Sequence, residues 1–98
     1  MPKLNVAFDV DGTLIDLDNM PNYPVIDLLR WFESQHHRVF IWSGGGCDYA
    51  RHWADKLGFT DVPVIEKNQK SALDWGIQLT VDDMPIELGH SILNILIG

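Results

Sequence analysis

The chain alternates short apolar runs with segments of helical periodicity. Five runs have the length of a β-strand, and most of them are apolar on both faces, as strands buried in a parallel sheet are. They cover residues 4–8, 39–42, 63–65, 79–81 and 92–97. The pattern therefore predicts five strands separated by polar and helical segments.

Between these runs, apolar side chains recur at the spacing of one face of an amphipathic helix. This periodicity predicts helices over residues 25–32 and 49–57, and a shorter helix over residues 71–75. A further helical turn is predicted near residues 85–88. Alternating strands and helices are typical of an α/β fold, with a parallel sheet, right-handed crossovers and helices on both faces.

Four of the predicted strands lead directly into residues that can bind or react. The first leads to Asp9 and Asp11, the second to Ser43 and three glycines, the third to Glu66 and Lys67, and the fourth to Asp82 and Asp83. Ligands of open α/β sheets bind beyond the carboxyl ends of the strands. We therefore expect these groups to meet at one edge of the sheet.

The spacing of Asp9 and Asp11 indicates a cation and a phosphate. Two carboxylates this close each disfavour ionisation of the other unless a cation intervenes, and carboxylate oxygens suit Mg²⁺. Gly12 allows a sharp turn after them. The glycines after Ser43 precede a predicted helix, whose N-terminal amides favour an anionic group. Ser43 itself is also a candidate cap for that helix.

Composition restricts the class of protein. The 98 residues allow one domain, taken as residues 1–98, and the formal net charge of −7 disfavours an anionic membrane or an extended nucleic-acid surface. The charge is compatible with nucleic acid only as a phosphorylated end. The single cysteine excludes an intramolecular disulfide, and no signal peptide or membrane span is evident. We therefore expect a cytoplasmic protein.

The four groups occur in the order found in one known superfamily. The segment DVDGTL, a strand that ends in Ser43, a lysine before a helix, and the segment VDD resemble the four motifs of the haloacid dehalogenase superfamily. The match extends from Asp9 to Asp83. The resemblance implies a Rossmann-like, three-layer domain whose mostly parallel sheet has the strand order 3-2-1-4-5. It also implies phosphatase rather than dehalogenase chemistry, because an aspartate at the position of Asp11 is typical of the members that transfer phosphoryl groups.

The resemblance assigns a role to each motif residue. Asp9 would attack phosphorus and form an aspartyl-phosphate, while Asp11 would protonate the leaving group and then activate water. Thr13 would help to hold the active-site loop, and Ser43 with the amide of Gly44 would hold the phosphoryl group. The implied Mg²⁺ ligands are Asp9, the backbone carbonyl of Asp11, and Asp82, directly or through water, with Asp83 supporting the site.

Two lysines compete for the role of the catalytic cation. Lys67 directly follows the third predicted strand and leaves Asn68 free to cap the next helix. Lys70 falls within the first helical turn, where a positive charge opposes the helix dipole. These arguments favour Lys67, with Lys70 as the alternative.

No cap domain is predicted over this site. About ten residues separate Leu14 from the first predicted helix, and roughly twenty separate Ser43 from the third run, so neither gap can hold a domain. The resemblance then implies an open site for a bulky or macromolecular phosphorylated substrate. Two other functions are compatible with the motifs: a binding or regulatory protein that turns over poorly, and, less well matched, a receiver-type phosphoacceptor domain.

Overall fold

The computed structural model describes residues 3–84 and 93–98. The strands of this part are β1 (Asn5–Asp9), β2 (Arg38–Ser43), β3 (Val64–Glu66), β4 (Leu79–Asp82) and β5 (Leu93–Leu96). The helices are α1 (Tyr23–Ser34), α2 (Cys47–Lys56) and α3 (Gln69–Asp74). Each element overlaps a predicted one, and the turn predicted near residues 85–88 lies outside the described residues.

The five strands form one sheet in the order β3-β2-β1-β4-β5, and every neighbouring pair is parallel. This confirms the α/β class, the strand order 3-2-1-4-5 and the parallel pairing. In the register, Asp9 at the end of β1 pairs with Trp42, and Ser43 at the end of β2 pairs with Glu66. The carboxyl ends of β1, β2 and β3 are therefore level with one another.

Helices cover both faces of the sheet. On one face, Phe8 and Ile41 belong to a buried cluster that also contains Leu29 of α1 and Ala54 of α2. On the other face, alternate residues of β1 and β2, Ala7 and Trp42 among them, form a second cluster with Ala72 of α3. Burial on both faces explains why these central strands are continuously apolar rather than alternating.

The edge strand β5 forms where a strand was predicted, but its apolar residues are largely exposed. Leu93 is 72% exposed and Leu96 is 57% exposed. Apolar composition alone does not distinguish a central strand from an edge strand, because burial depends on what packs against the strand.

No helix in the described ranges has the length and hydropathy required to cross a bilayer.

The core makes a prediction about stability. Leu29 is fully buried on the inner face of α1, whereas Leu73 of α3 is 63% exposed. We expect Leu29→Ala to lower the free energy of unfolding by about 2–5 kcal/mol, because it removes buried apolar atoms and leaves a cavity. The matched variant Leu73→Ala should change it by less than about 1 kcal/mol. Urea unfolding measures both, and equal losses would contradict this assignment of the core.

Candidate active site

The predicted site residues lie at the carboxyl edge of the sheet. Asp9 ends β1, Ser43 ends β2 and Asp82 ends β4, and all three side chains are buried at 5%, 3% and 0% exposure. Thr13, in the loop after β1, is also fully buried and its hydroxyl donates to Asp9 Oδ2 at 3.3 Å. Polar groups buried at a strand end need partners, so their contacts define the site.

Lys67 joins the carboxylates of two neighbouring strands. Its Nζ atom lies 2.9 Å from Asp9 Oδ1 and 2.7 Å from Asp82 Oδ2. The lysine side chain is itself mostly buried, with 20% of it exposed. Residues distant in sequence therefore meet here because β1 and β4 are paired and β3 ends at the same edge.

The start of α3 explains which lysine reaches this position. Asn68 caps α3, since its Oδ1 accepts a hydrogen bond from the Ser71 amide at 2.8 Å. Lys67 therefore lies before the helix and directly follows the last residue of β3. Lys70 lies in the first turn of α3, is 84% exposed and pairs with Asp74 on the same helix. Lys70 does not contact the carboxylates at the strand ends.

Burial is the largest single influence on the pKa values of the charged groups in this cluster. Desolvation raises the pKa of Asp9 from 3.8 to about 6, although the hydrogen bond from Lys67 opposes the shift and the charge of Asp82 adds to it. Burial by itself lowers the pKa of Lys67, but its close contacts with the carboxylates of Asp82 and Asp9 outweigh this effect, and the net direction of the pKa shift is upward. Partial burial and the neighbouring carboxylate of Asp82 raise the pKa of Asp83.

Three carboxylates in the described part of the chain could hold a cation. Asp9, Asp82 and Asp83 each offer one oxygen, and these oxygens all lie within 4.8 Å of one another. Asp82 Oδ2 is buried and has no hydrogen-bond partner in that part, since its approach to Lys67 has the distance of an ion pair without hydrogen-bond geometry. The other oxygen, Oδ1, accepts from the Met84 amide at 3.0 Å. A hard divalent cation such as Mg²⁺ fits this donor set.

Gly12 keeps room for this cluster. It has a φ of +75°, and a Cβ atom placed on it would collide with the carboxylate of Asp83. Glycine is therefore required here for two reasons, the left-handed backbone conformation and the close approach of the acidic side chain. The loop after β1 and the end of β4 are in direct contact at this point.

The segment after β2 is an open loop. The hydroxyl oxygen of Ser43 accepts a hydrogen bond from the Gly45 amide at 3.0 Å, and the alternative assignment of Ser43 as the cap of α2 is wrong. The N-cap position of α2 is occupied by Gly46, which has no side chain that could cap the helix. Gly44 is exposed, and no atom lies within 4 Å of the position a Cβ would take. Within residues 3–84 and 93–98, no acceptor is found for the hydroxyl hydrogen of Ser43.

Asp11 lies apart from the buried carboxylates. It is exposed, and its Oδ1 accepts a hydrogen bond of 2.6 Å from the hydroxyl of Tyr49 on α2. The sequence pattern assigned Tyr49 only to the apolar face of a helix. Nothing in the local sequence indicated this contact, because it joins two segments through the packing of α2 against the sheet.

A cleft opens beside the cluster. Its volume is about 390 Å³, and its lining comprises Gly12, Asp16, Leu17, Asn22, Asp83, Ile97 and Gly98. A second cleft of about 290 Å³ lies at the opposite edge of the sheet, near the starts of β2 and β3, and none of the predicted site residues lines it. The first cleft is therefore the one that offers space next to Asp83 and the turn after β1.

Comparisons with family models, curated proteins and solved structures found no match to this chain. The resemblance to the haloacid dehalogenase superfamily consequently depends on the four sequence motifs.

The position of Lys67 makes a prediction about stability. Replacing it by Met should lower the free energy of unfolding by about 2–4 kcal/mol at pH 7 in the presence of a chelator, because Asp9 and Asp82 lose a shared partner. The matched variant Lys70→Met removes an exposed pair and should cost at most about 1 kcal/mol. Urea unfolding at fixed ionic strength measures both variants. Equal costs would contradict the buried ion cluster.

Burial of Asp9 makes a prediction about pH. An acid whose pKa is 3.8 when unfolded and about 6 when folded holds its proton longer in the folded state, so stability falls as the pH rises between these values. Relative to the wild type, Asp9→Asn should therefore gain roughly 2 kcal/mol of stability from pH 4 to pH 6 in chelator. Unfolding curves at several pH values measure this difference.

The control for this experiment is Asp27→Asn, which alters an exposed carboxylate on α1. Its stability should follow that of the wild type across the same pH range. A wild type and an Asp9→Asn variant with parallel pH profiles would contradict the raised pKa of Asp9.

Proposed function

We propose that the protein is a Mg²⁺-dependent phosphatase of the haloacid dehalogenase type, which hydrolyses a phosphomonoester through an aspartyl-phosphate on Asp9. The observation that carries the proposal is the arrangement around Asp9. One of its oxygens is held by Lys67 and the other by Thr13, at the edge where ligands of α/β sheets bind. A carboxylate fixed at both oxygens is oriented for attack on a bound group.

The acidic cluster supports a role for Mg²⁺. Asp9, Asp82 and Asp83 supply oxygens close enough to share one cation, and the buried Oδ2 of Asp82 has an ion pair with Lys67 but no hydrogen bond within the described residues. When bound, Mg²⁺ would offset the carboxylate charges and attract the phosphoryl oxygens. Lys67 would supply the second positive charge, and it is already in contact with the nucleophile.

In the first half of the proposed reaction, an Asp9 oxygen attacks phosphorus, and the bond between phosphorus and the leaving oxygen breaks. Protonated Asp11 gives its proton to that oxygen, so an alcohol departs and Asp11 is left ionised. In the second half, Asp11 takes a proton from water as the water attacks phosphorus. The bond to Asp9 then breaks, which releases phosphate and restores both aspartates.

The loop after β2 supports the phosphate end of the site. Ser43 is buried at the end of β2, the strand paired with β1, and among the described residues no acceptor is found for its hydroxyl hydrogen. Gly44 is exposed and leaves open space next to it. Ser43 and the Gly44 amide would donate to the phosphoryl oxygens, as the resemblance implies.

The open surroundings favour a phosphate ester on a bulky or macromolecular partner. Residues 10–22 between β1 and α1 form a loop, and the segment between β2 and β3 contains α2, so neither place holds a covering domain. Asp11 is accordingly exposed. A partner that covers the site would exclude water from the reacting groups itself. The net charge of −7 disfavours an extended nucleic-acid partner and leaves phosphorylated ends compatible.

The geometry favours Asp9 over the position that a receiver domain would use. Such a domain needs its phosphoacceptor after the third strand, where this chain has the exposed Glu66. Asp9 is buried at the end of a central strand and contacts Lys67. The remaining alternative is a binding or regulatory protein with the same residues and poor turnover, which only a measurement of activity distinguishes.

Release of p-nitrophenolate from p-nitrophenyl phosphate tests the proposed reaction. We expect turnover by the wild type with Mg²⁺ and its loss in chelator. Asp9→Asn should reduce turnover by at least about 10³-fold, because an amide cannot form the aspartyl-phosphate. Asp27→Asn, on the exposed side of α1, should retain wild-type turnover, and circular dichroism should show that both variants fold.

Undiminished activity in Asp9→Asn would refute the assignment of the nucleophile. A folded wild type that binds Mg²⁺ and gives no turnover would instead favour the binding or regulatory alternative.

A further inference from the structure

Tyr49 connects α2 to the loop that carries Asp11. Its hydroxyl donates a hydrogen bond of 2.6 Å to Asp11 Oδ1, across 38 positions of sequence. Tyr49 is half-buried, and its ring packs against the large core cluster. The contact therefore connects an exposed carboxylate to the rigid part of the protein.

The glycine loop leaves space for the tyrosine ring. A Cβ atom on Gly45 would lie 3.1 Å from both Cγ and Cδ2 of Tyr49, which is closer than ordinary van der Waals contact. The ring thus lies against the backbone of Gly45, two residues after Ser43. Because the core and the loop both restrict the ring, its hydroxyl binds Asp11 with little further loss of conformational freedom.

Asp11 needs such a restraint. It lies on a loop and is exposed, so its side chain would otherwise sample several rotamers. Tyr49 holds Oδ1, and among residues 3–84 and 93–98 no hydrogen bond to Oδ2 of Asp11 is found. The hydrogen bond to Asp11, followed by burial, raises the pKa of Tyr49, which keeps the hydroxyl protonated as a donor.

We propose that Tyr49 is a positioning residue, which holds one oxygen of Asp11 so that the other is directed to the leaving oxygen of the substrate. This inference rests on the proposed function, in which Asp11 transfers that proton. Tyr49 does not touch the reacting atoms and acts only through Asp11. Its effect is therefore largest where proton donation limits the rate, that is, for phosphate esters of poorly leaving alcohols.

Two Tyr→Phe variants test the proposal. Tyr49→Phe keeps the ring against Gly45 and removes the hydroxyl, while Tyr23→Phe makes the same change at a residue on α1 that is 66% exposed. With an alkyl phosphate such as glycerol phosphate, Tyr49→Phe should lower kcat about tenfold and leave KM nearly unchanged, because a misdirected acid slows the chemical step. With p-nitrophenyl phosphate, whose leaving group needs no proton, the loss should be less than about twofold.

A double-mutant cycle separates positioning from general stability. In the Asp11→Ala background, which should itself hydrolyse the alkyl phosphate poorly, adding Tyr49→Phe should change kcat by less than about twofold, because the group it positions is gone. Tyr23→Phe should match the wild type with both substrates. Thermal unfolding of every variant checks that the fold persists.

Each outcome bears on a distinct inference. Equal losses for both substrates, no loss for either, or additive losses in the cycle would overturn the role of Tyr49 while Asp9-dependent turnover by the wild type upholds the proposed function. A wild type without Asp9-dependent turnover would overturn both.

Discussion

Three charged side chains at the carboxyl edge of the sheet constrain the rest of this structure. Lys67 contacts Asp9 and Asp82, which are almost completely removed from solvent. Burial of a carboxylate is costly unless a positive partner compensates for it. The ends of β1 and β4 and the segment before α3 must therefore keep the positions that bring Lys67 to the two carboxylates. The compensation at Asp9 is incomplete, as the upward shift of its pKa to about 6 indicates. A divalent cation shared with Asp83 would complete it.

The apolar core stabilises the protein, whereas the site introduces features that cost stability. Apolar residues on both faces of β1 and β2 hold the central strands in place, with α1 and α2 on one side and α3 on the other. The site adds buried charge and a left-handed glycine at position 12. Buried charge and restricted backbone at a strand edge are typical of functional sites, where stability is given up for a defined arrangement of polar groups.

Much of the fold followed from sequence patterns because they express local physics. Continuous apolar runs identified the central strands, and the helical spacing placed α1, α2 and α3 to within a few residues. Asn68 was expected to cap α3 and does so. Ser43, a candidate cap of α2, bonds instead to the amide of Gly45 in its own loop. The apolar side chains of β5 are largely exposed, because burial depends on what packs against a strand and composition does not encode this.

The sequence by itself determined which side chains end the strands, since parallel strands direct their carboxyl ends to one edge whatever the residues between them. Asp9, Ser43 and Asp82 could therefore be named without coordinates, and Lys67 was favoured over Lys70. Only the tertiary structure decided how they pair: that Lys67 rather than Lys70 meets the buried carboxylates, and that Tyr49 holds Asp11. The physical reason is distance. Ion pairs and hydrogen bonds depend on shifts of a few tenths of an ångström, which only the packing of helices on the sheet sets.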